Sequence, residues 1–249
     1  MILEKIKKPN DIHKVSLEDF PRLAEEIRSF LIQSVSETGG HLASNLGIVE
    51  TTIALHKVYD TAVDRVIFDV GHQSYVHKII TGRARAFDTL RKYKGLSGFP
   101  KSRESIHDAY DTGHSSTSIS AAMGYATARD LRNEDYQVVA VIGDGAMTGG
   151  LSYEGLNNAG KSGNNLIVIL NDNEMSISKN VGALARYLSS MRSSEGYVRT
   201  KKAVERRLNR TAVIGPSVAK VIKNSKSVVR DVLLQSATIF EDFGFVYLG

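Results

Sequence analysis

Two stretches, YQVVAVIGDG (136–145) and NLIVILNDN (165–173), are unbroken apolar runs that stop on Gly, Asp or Asn. A strand with one wet face alternates apolar and polar residues, whereas a continuous run is buried on both faces, as inside a parallel sheet. The segment between them, MTGGLSYEGLNNA (147–159), reads as helix. Strand, helix, strand is the grammar of an open α/β sheet, and in such sheets ligands sit beyond the carboxyl ends of the strands.

The flanks extend this pattern. SLEDFPRLAEEIRSFLIQSVSE (16–37) has helical apolar spacing with Ser16 as a plausible N-cap, and GIVETTIALHKVYD (47–60) reads as a second helix. DRVIFDVG (64–71) is a short β-branched run ending at Gly71, which predicts another buried strand. STSISAAMGYATARDLR (116–132) is rich in small residues and suits a helix packed closely on a sheet. The expected organisation is an open, mostly parallel sheet flanked by helices over 1–180. A basic, mostly helical extension follows over 181–249.

Two phosphate sites compete within 143–178. GLNNAGKS (155–162) fits the P-loop pattern letter for letter. A P-loop requires strand, glycine-rich turn, then helix, so that amides and a helix N-terminus face the phosphates. Here the order is reversed: Lys161 and Ser162 are expected between a helix and the strand that follows, at the wrong end of the sheet. The outer residues do better. Asp144 and Asn173 both follow strands joined by one crossover helix, and Gly143 and Gly145 let a ligand approach the backbone. A helix expected to start near Met147 would aim its amides at the same place. Mg²⁺ beside a diphosphate asks for hard oxygens and one or two protein ligands, which this pair can supply. On the residues alone, GDG also reads as a strand–helix turn with an Asp cap.

Bulk properties exclude several classes. With no Cys there is no disulfide scaffold, Cys-ligated zinc or thiol nucleophile. No apolar run approaches the ~18 residues of a membrane span and the N-terminus has no signal-peptide core, so a soluble cytoplasmic protein is expected. Net charge is only +5, but 186–230 holds twelve Lys or Arg against Glu195 and Glu205. That segment offers few stacking aromatics beyond Tyr187 and Tyr197, so it reads as solvated basic helices or a flap, and no nucleic-acid partner is expected.

GDG followed after the crossover by Asn resembles the fingerprint of transketolase-like thiamine-diphosphate enzymes. TGGHLASNLGIVETTIALHKVYD (38–60), IFDVGHQSYVHKIITGR (67–83), GLSGFPKSRES (95–105), DTGHSSTSISAAMGYATARD (111–130) and LNDNEMSISKNVGAL (170–184) are similar to the 1-deoxy-D-xylulose-5-phosphate synthase family within that group. The resemblance implies a metal site of Asp144, Asn173 and the Met175 carbonyl. It implies cofactor contacts at His72, Gly113, His114, Ser115, Gly145, Ala146 and Asn173, with His41 lining the reaction chamber and His41 and His72 as the catalytic histidines. His56 and His77 read as structural. The implied cofactors are thiamine diphosphate and Mg²⁺. The implied substrates are pyruvate and glyceraldehyde 3-phosphate, condensed with loss of CO₂ in the synthesis of isoprenoid and thiamine precursors.

The family's pyrimidine-binding domain, and the glutamate it contributes, have no counterpart here. The resemblance therefore implies an N-terminal piece, stopping short of the domain's final strand, that binds Mg–thiamine diphosphate but needs a complementing chain for turnover, with a homo-oligomer as a further expectation. A subunit of a split transketolase and a non-catalytic remnant are the alternatives.

Overall fold

The computed structural model describes residues 1–172, Ala183, Tyr187 and 238–248. The chain divides into two compact units, Met1–Asn180 and Val181–Gly249.

Among the described residues of the first unit, three parallel strands form a sheet in the order β1-β2-β3: β1 Arg65–Phe68, β2 Val138–Gly143 and β3 Ile167–Asn171. The register pairs Arg65 with Val138 at one end and Gly143 with Asn171 at the other. The carboxyl ends of β2 and β3 therefore lie side by side, but β3 is not buried on both faces as its apolar run predicts: Ile167 is exposed and the rest of the strand half-buried. β2 is buried along nearly its whole length, which is why its sequence never alternates.

Helix α1, Phe20–Thr38, buries Leu23, Ala24, Ile27, Leu31 and Val35, a stripe at three- and four-residue spacing. It ends where Gly39 takes φ 73°, a left-handed value that glycine adopts without a Cβ clash. Ser16 sits one turn earlier than α1. It precedes a 3₁₀ turn, Leu17–Asp19, and its hydroxyl bonds Asp19 Oδ2 at 2.9 Å rather than a helix amide. Helix α2, Leu42–Leu46, and helix α3, Val49–Val58, follow, and α3 buries Ile53 and Leu55 into the same core. That core also takes in Val66, Phe68, Val139 and Val141 from the sheet and Tyr75, Val76 and Ile79 from the helical stretch that begins with α4, Tyr75–Lys78.

Helix α5, Ser118–Arg132, packs on β1 and β2 through Ala122 and Ala126, whose small side chains permit a close approach. Beyond β2 come a helical turn, α6 Asp144–Met147, and then α7 Gly150–Ser162. The whole of GLNNAGKS thus lies inside α7. Its first glycine, Gly155, serves helix packing: a Cβ there would stand 3.0 Å from Ser120 Oγ and 3.1 Å from Ile119 Cγ2 on α5. Lys161 and Ser162 form the last helical turn instead of the connecting turn, which begins at Gly163 with φ 75°. Both precede the start of β3, at the end of the sheet away from the strand C-termini, so no P-loop is formed.

In the second unit, Thr238 caps the short helix Ile239–Asp242 with a reciprocal box: Glu241 N–H donates to Thr238 Oγ1 and Thr238 N–H to Glu241 Oε2. The Phe240 and Tyr247 rings stack at 5.6 Å. The basic segment 186–230, expected to be helical, lies outside the described residues except for Tyr187.

Candidate functional site

Three loops leave the carboxyl ends of β1 and β2 or enter α5, and buried polar contacts tie them together. β1 stops at Phe68, three residues before the expected Gly71. The reason is Asp69, whose buried carboxylate turns to accept N–H bonds from Ser116 at 2.7 Å and Ser118 at 2.9 Å. This satisfies amides at the start of α5, which have no partner inside the helix. Val70 then takes φ 59°, costly for a β-branched residue and incompatible with a continuing strand. At Gly71 a Cβ would fall 2.1 Å from Thr112 Oγ1 and 2.4 Å from Pro100 Cδ, so only glycine fits where the two loops press together.

Ser116 links onward to the GDG turn. Its hydroxyl donates to the Ala146 carbonyl at 2.7 Å, and Ser152 donates to the same oxygen at 3.0 Å. Two hydroxyls drawing on this carbonyl accompany a break at Gly149, ψ 140°, between α6 and α7. The helical turn therefore begins at Asp144, immediately after the strand, rather than near Met147. Gly149 lies so close to Ser116 that a Cβ would meet its Oγ at 2.2 Å.

The site residues occupy this corner in different ways. Gly113, His114, Ser115 and Gly145 are exposed, whereas Asp144 and Ala146 are partly buried. A Cβ on Gly113 would meet nothing within 4 Å, so its backbone is open to a ligand. His114 Nδ1 donates to the Ser115 carbonyl at 2.8 Å, leaving Nε2 as the free acceptor of that tautomer. Asn171 Nδ2, at the end of β3, is buried and makes no hydrogen bond among the described residues. Asn173 and Met175 lie just beyond it, outside the described residues.

His41 and His72 meet edge to face, with ring centroids 5.9 Å apart. His41 also packs against Phe99 at 5.5 Å, and its Nδ1 lies 3.3 Å from the Tyr75 hydroxyl. Burial lowers the His41 pKa below the usual histidine value, and the positive charge of Arg91 lowers it further. Burial lowers His72 too, helped by His41 and opposed by the Asp69 charge and by a weak hydrogen bond to the Asp69 backbone. Both imidazoles are thus neutral at neutral pH, able to accept a proton or a hydrogen bond. His72 Nδ1 is buried without a well-formed hydrogen bond among the described residues. Such an atom costs roughly 1–3 kcal/mol when left unmet, and it marks a place where a ligand would stabilise the fold.

These features fit a diphosphate and a divalent cation. Asp144 brings a hard carboxylate to the mouth of two adjacent parallel strands, the exposed glycine backbones admit close approach, and the orphaned His72 and Asn171 nitrogens can meet polar atoms. Sequence reading had not singled out Asp69, Asn45 or Ser116. The one signal for Asp69 was an acidic residue ending an apolar run just before a glycine.

The family model described as 1-deoxy-D-xylulose-5-phosphate synthase matches residues 3–249. The chain is 56% identical over 248 residues to the 1-deoxy-D-xylulose-5-phosphate synthase of Caldanaerobacter subterraneus subsp. tengcongensis, covering 100% of this chain and 40% of that protein. It is 55% identical to the synthase of Syntrophomonas wolfei, covering 39% of it. The chain thus spans about 40% of the length of these curated relatives. In fold it is similar to a Pichia stipitis transketolase, with TM-score 0.56 and 19% identity over 68% of this chain and 30% of that one. The family model and these relatives place the chain in the 1-deoxy-D-xylulose-5-phosphate synthase family, aligned with the N-terminal part of its members.

Proposed function

We propose that this chain carries the diphosphate- and metal-binding part of a thiamine-diphosphate-dependent synthase. The reaction joins pyruvate to glyceraldehyde 3-phosphate with loss of CO₂, in the cytoplasm, on the way to isoprenoid and thiamine precursors. What supports the reading is one juxtaposition. The loops after β1, before α5 and after β2 are bound to one another through Asp69, Ser116 and Ala146 at the carboxyl end of a parallel sheet.

In this reading Asp144 ligates Mg²⁺, with the Asn173 side chain and the Met175 carbonyl as the expected further ligands. Gly113, Ser115, Gly145 and Ala146 present backbone to the diphosphate, and His72 and His114 offer imidazole hydrogen bonds. The bound cofactor would supply an electron sink for decarboxylating a 2-oxo acid. His41, held neutral by burial and Arg91, takes or gives a proton at the chamber wall. Phe99 and Tyr75 pack against His41 and cover part of its ring. A pyrimidine-binding part, in a complementing chain or in further length of the same protein, completes the catalytic groups.

Thermal melting and calorimetry test this directly. Thiamine diphosphate with Mg²⁺ is expected to raise the melting temperature, because a ligand that binds only the folded state stabilises it by mass action. Asp144→Ala is expected to abolish that rise. An unchanged rise in the variant would refute the metal assignment, and no binding by the parent chain would refute the reading as a whole.

A further inference from the structure

Two segments 31 positions apart carry the histidine pair, and one side chain joins them. Asn45, on α2, is fully buried. Its Nδ2 donates to the His41 carbonyl at 2.6 Å and to the His72 carbonyl at 2.7 Å. Its Oδ1 accepts the Tyr75 N–H at 2.8 Å. Both amide protons and the amide oxygen are therefore used, each on a different residue of the site corner.

Tyr75 passes the constraint back to His41. Its hydroxyl lies 3.3 Å from both the His41 amide nitrogen and Nδ1, and a Cβ on Gly40 would stand 2.7 Å from that oxygen. The Tyr75 ring is itself completely buried and packs edge-on against Phe87 at 6.0 Å. His41 is thus held by its carbonyl, its amide and one ring nitrogen, all tracing to Asn45 or to the residue Asn45 anchors.

We propose that Asn45 is the positioning residue of this corner: it fixes His72 directly and His41 both directly and through Tyr75. Its nearest replacements do not fill this place equally well. Asp offers no donor for the two carbonyls, Ala leaves all three groups unmet, and Gln is one methylene too long for a fully buried slot. The inference rests on the reading of His41 and His72 as site residues, but its test does not depend on cofactor binding.

The measurement is histidine titration by NMR on the full 249-residue chain, comparing Asn45→Ala, Asn45→Asp and Tyr75→Phe with the parent. In either Asn45 variant the His41 and His72 titrations are expected to move up toward the ordinary histidine value, while His56 and His77 stay put. In Tyr75→Phe only His41 should move. A folded Asn45 variant with His41 and His72 unmoved would overturn the proposal. So would failure of both Asn45 variants to fold combined with an unmoved His41 in Tyr75→Phe. Thiamine diphosphate–Mg²⁺ affinity gives the second readout, with a loss of about tenfold expected in Asn45→Ala, the scale for outer partners of a site. Shifted histidines with undiminished affinity would leave the positioning role standing and remove His72 from the cofactor contacts.

Discussion

The molecule contains two histidine pairs, and they are built in opposite ways. His41 and His72 touch edge to face, each ring is only partly buried, and His72 Nδ1 lacks a well-formed hydrogen bond among the described residues. His56 and His77 are buried and bonded in series: His56 Nε2 to His77 Nδ1 at 2.9 Å, then His77 Nε2 to Asp108 Oδ1 at 2.9 Å. The series ends on a fork, where Arg83 donates to Asp108 Oδ2 at 2.8 Å and to Oδ1 at 2.7 Å. Lys78 pairs with Glu104 at 2.6 Å alongside. The Lys101 amide adds another donor to Asp108, and the Ser97 amide bonds Glu104, so the network pins the irregular segment that leads to Gly113–Ser115. Paired on both ring nitrogens, His77 has no atom left for a ligand. The lesson is that satisfaction, more than burial or charge, separates a structural histidine from one poised to bind.

The largest expected effect comes from breaking the satisfied pair at its hub. Asp108→Ala takes the two-pronged partner from Arg83 and the acceptor from His77 Nε2 while Lys78 keeps Glu104, and removing one partner of a buried pair costs about 3–5 kcal/mol. Urea denaturation should show the drop, and a midpoint within error of the parent would mean the network contributes little.

Acid should weaken the same region next. Burial pushes the His77 pKa down to about 4 despite the pull of Asp108, and burial holds His56 well below the ordinary range. Burial pushes the Asp108 carboxyl up, but hydrogen bonds from His77 and Arg83 outweigh it and hold that carboxyl well below the usual carboxylate range. Between the unfolded histidine value of roughly 6.5 and about 4, the unfolded chain binds protons that the folded chain refuses. Stability is therefore full above that window and falls as pH drops through it, by up to about 1.4 kcal/mol per pH unit for each histidine. A flat stability profile across the window would contradict a neutral buried pair.

The smallest effect on stability is expected at the open pair. His72→Leu removes a buried polar atom that has no well-formed bond, so without ligand the variant should melt within about 1 kcal/mol of the parent or slightly above it. The same variant should lose most of the thiamine diphosphate-induced rise in melting temperature. Destabilisation as large as that of Asp108→Ala would place His72 with the structural histidines.

Much of this was legible in the residues. The two apolar runs end where the strands end, and the flanks of GLNNAGKS argue against a P-loop, although Lys161 and Ser162 finish the helix rather than form the turn. His56 and His77 read as structural and are satisfied in the core. The capping box at Thr238 and Glu241 was present in the spelling T-x-x-E and was passed over, although its signal is local. The places where expectation slipped share one cause. β1 stops early and α6 starts early because Asp69, Ser116 and Ala146 answer to partners 47 and 30 residues away.

What the sequence alone determined is therefore the periodic part: which segments are strand or helix, which face is apolar, and the family to which the chain belongs. Those properties follow from neighbours within one or two turns, where backbone geometry repeats. Only the tertiary structure decided that Asn45 ties the two open histidines together, that Asp69 joins the loops of β1 and α5, and that His77 is bonded at both ring nitrogens while His72 Nδ1 makes no well-formed bond among the described residues. Hydrogen bonding between distant residues leaves no period in the chain. A buried amide or carboxylate looks the same in the sequence whether its partners are found or missing.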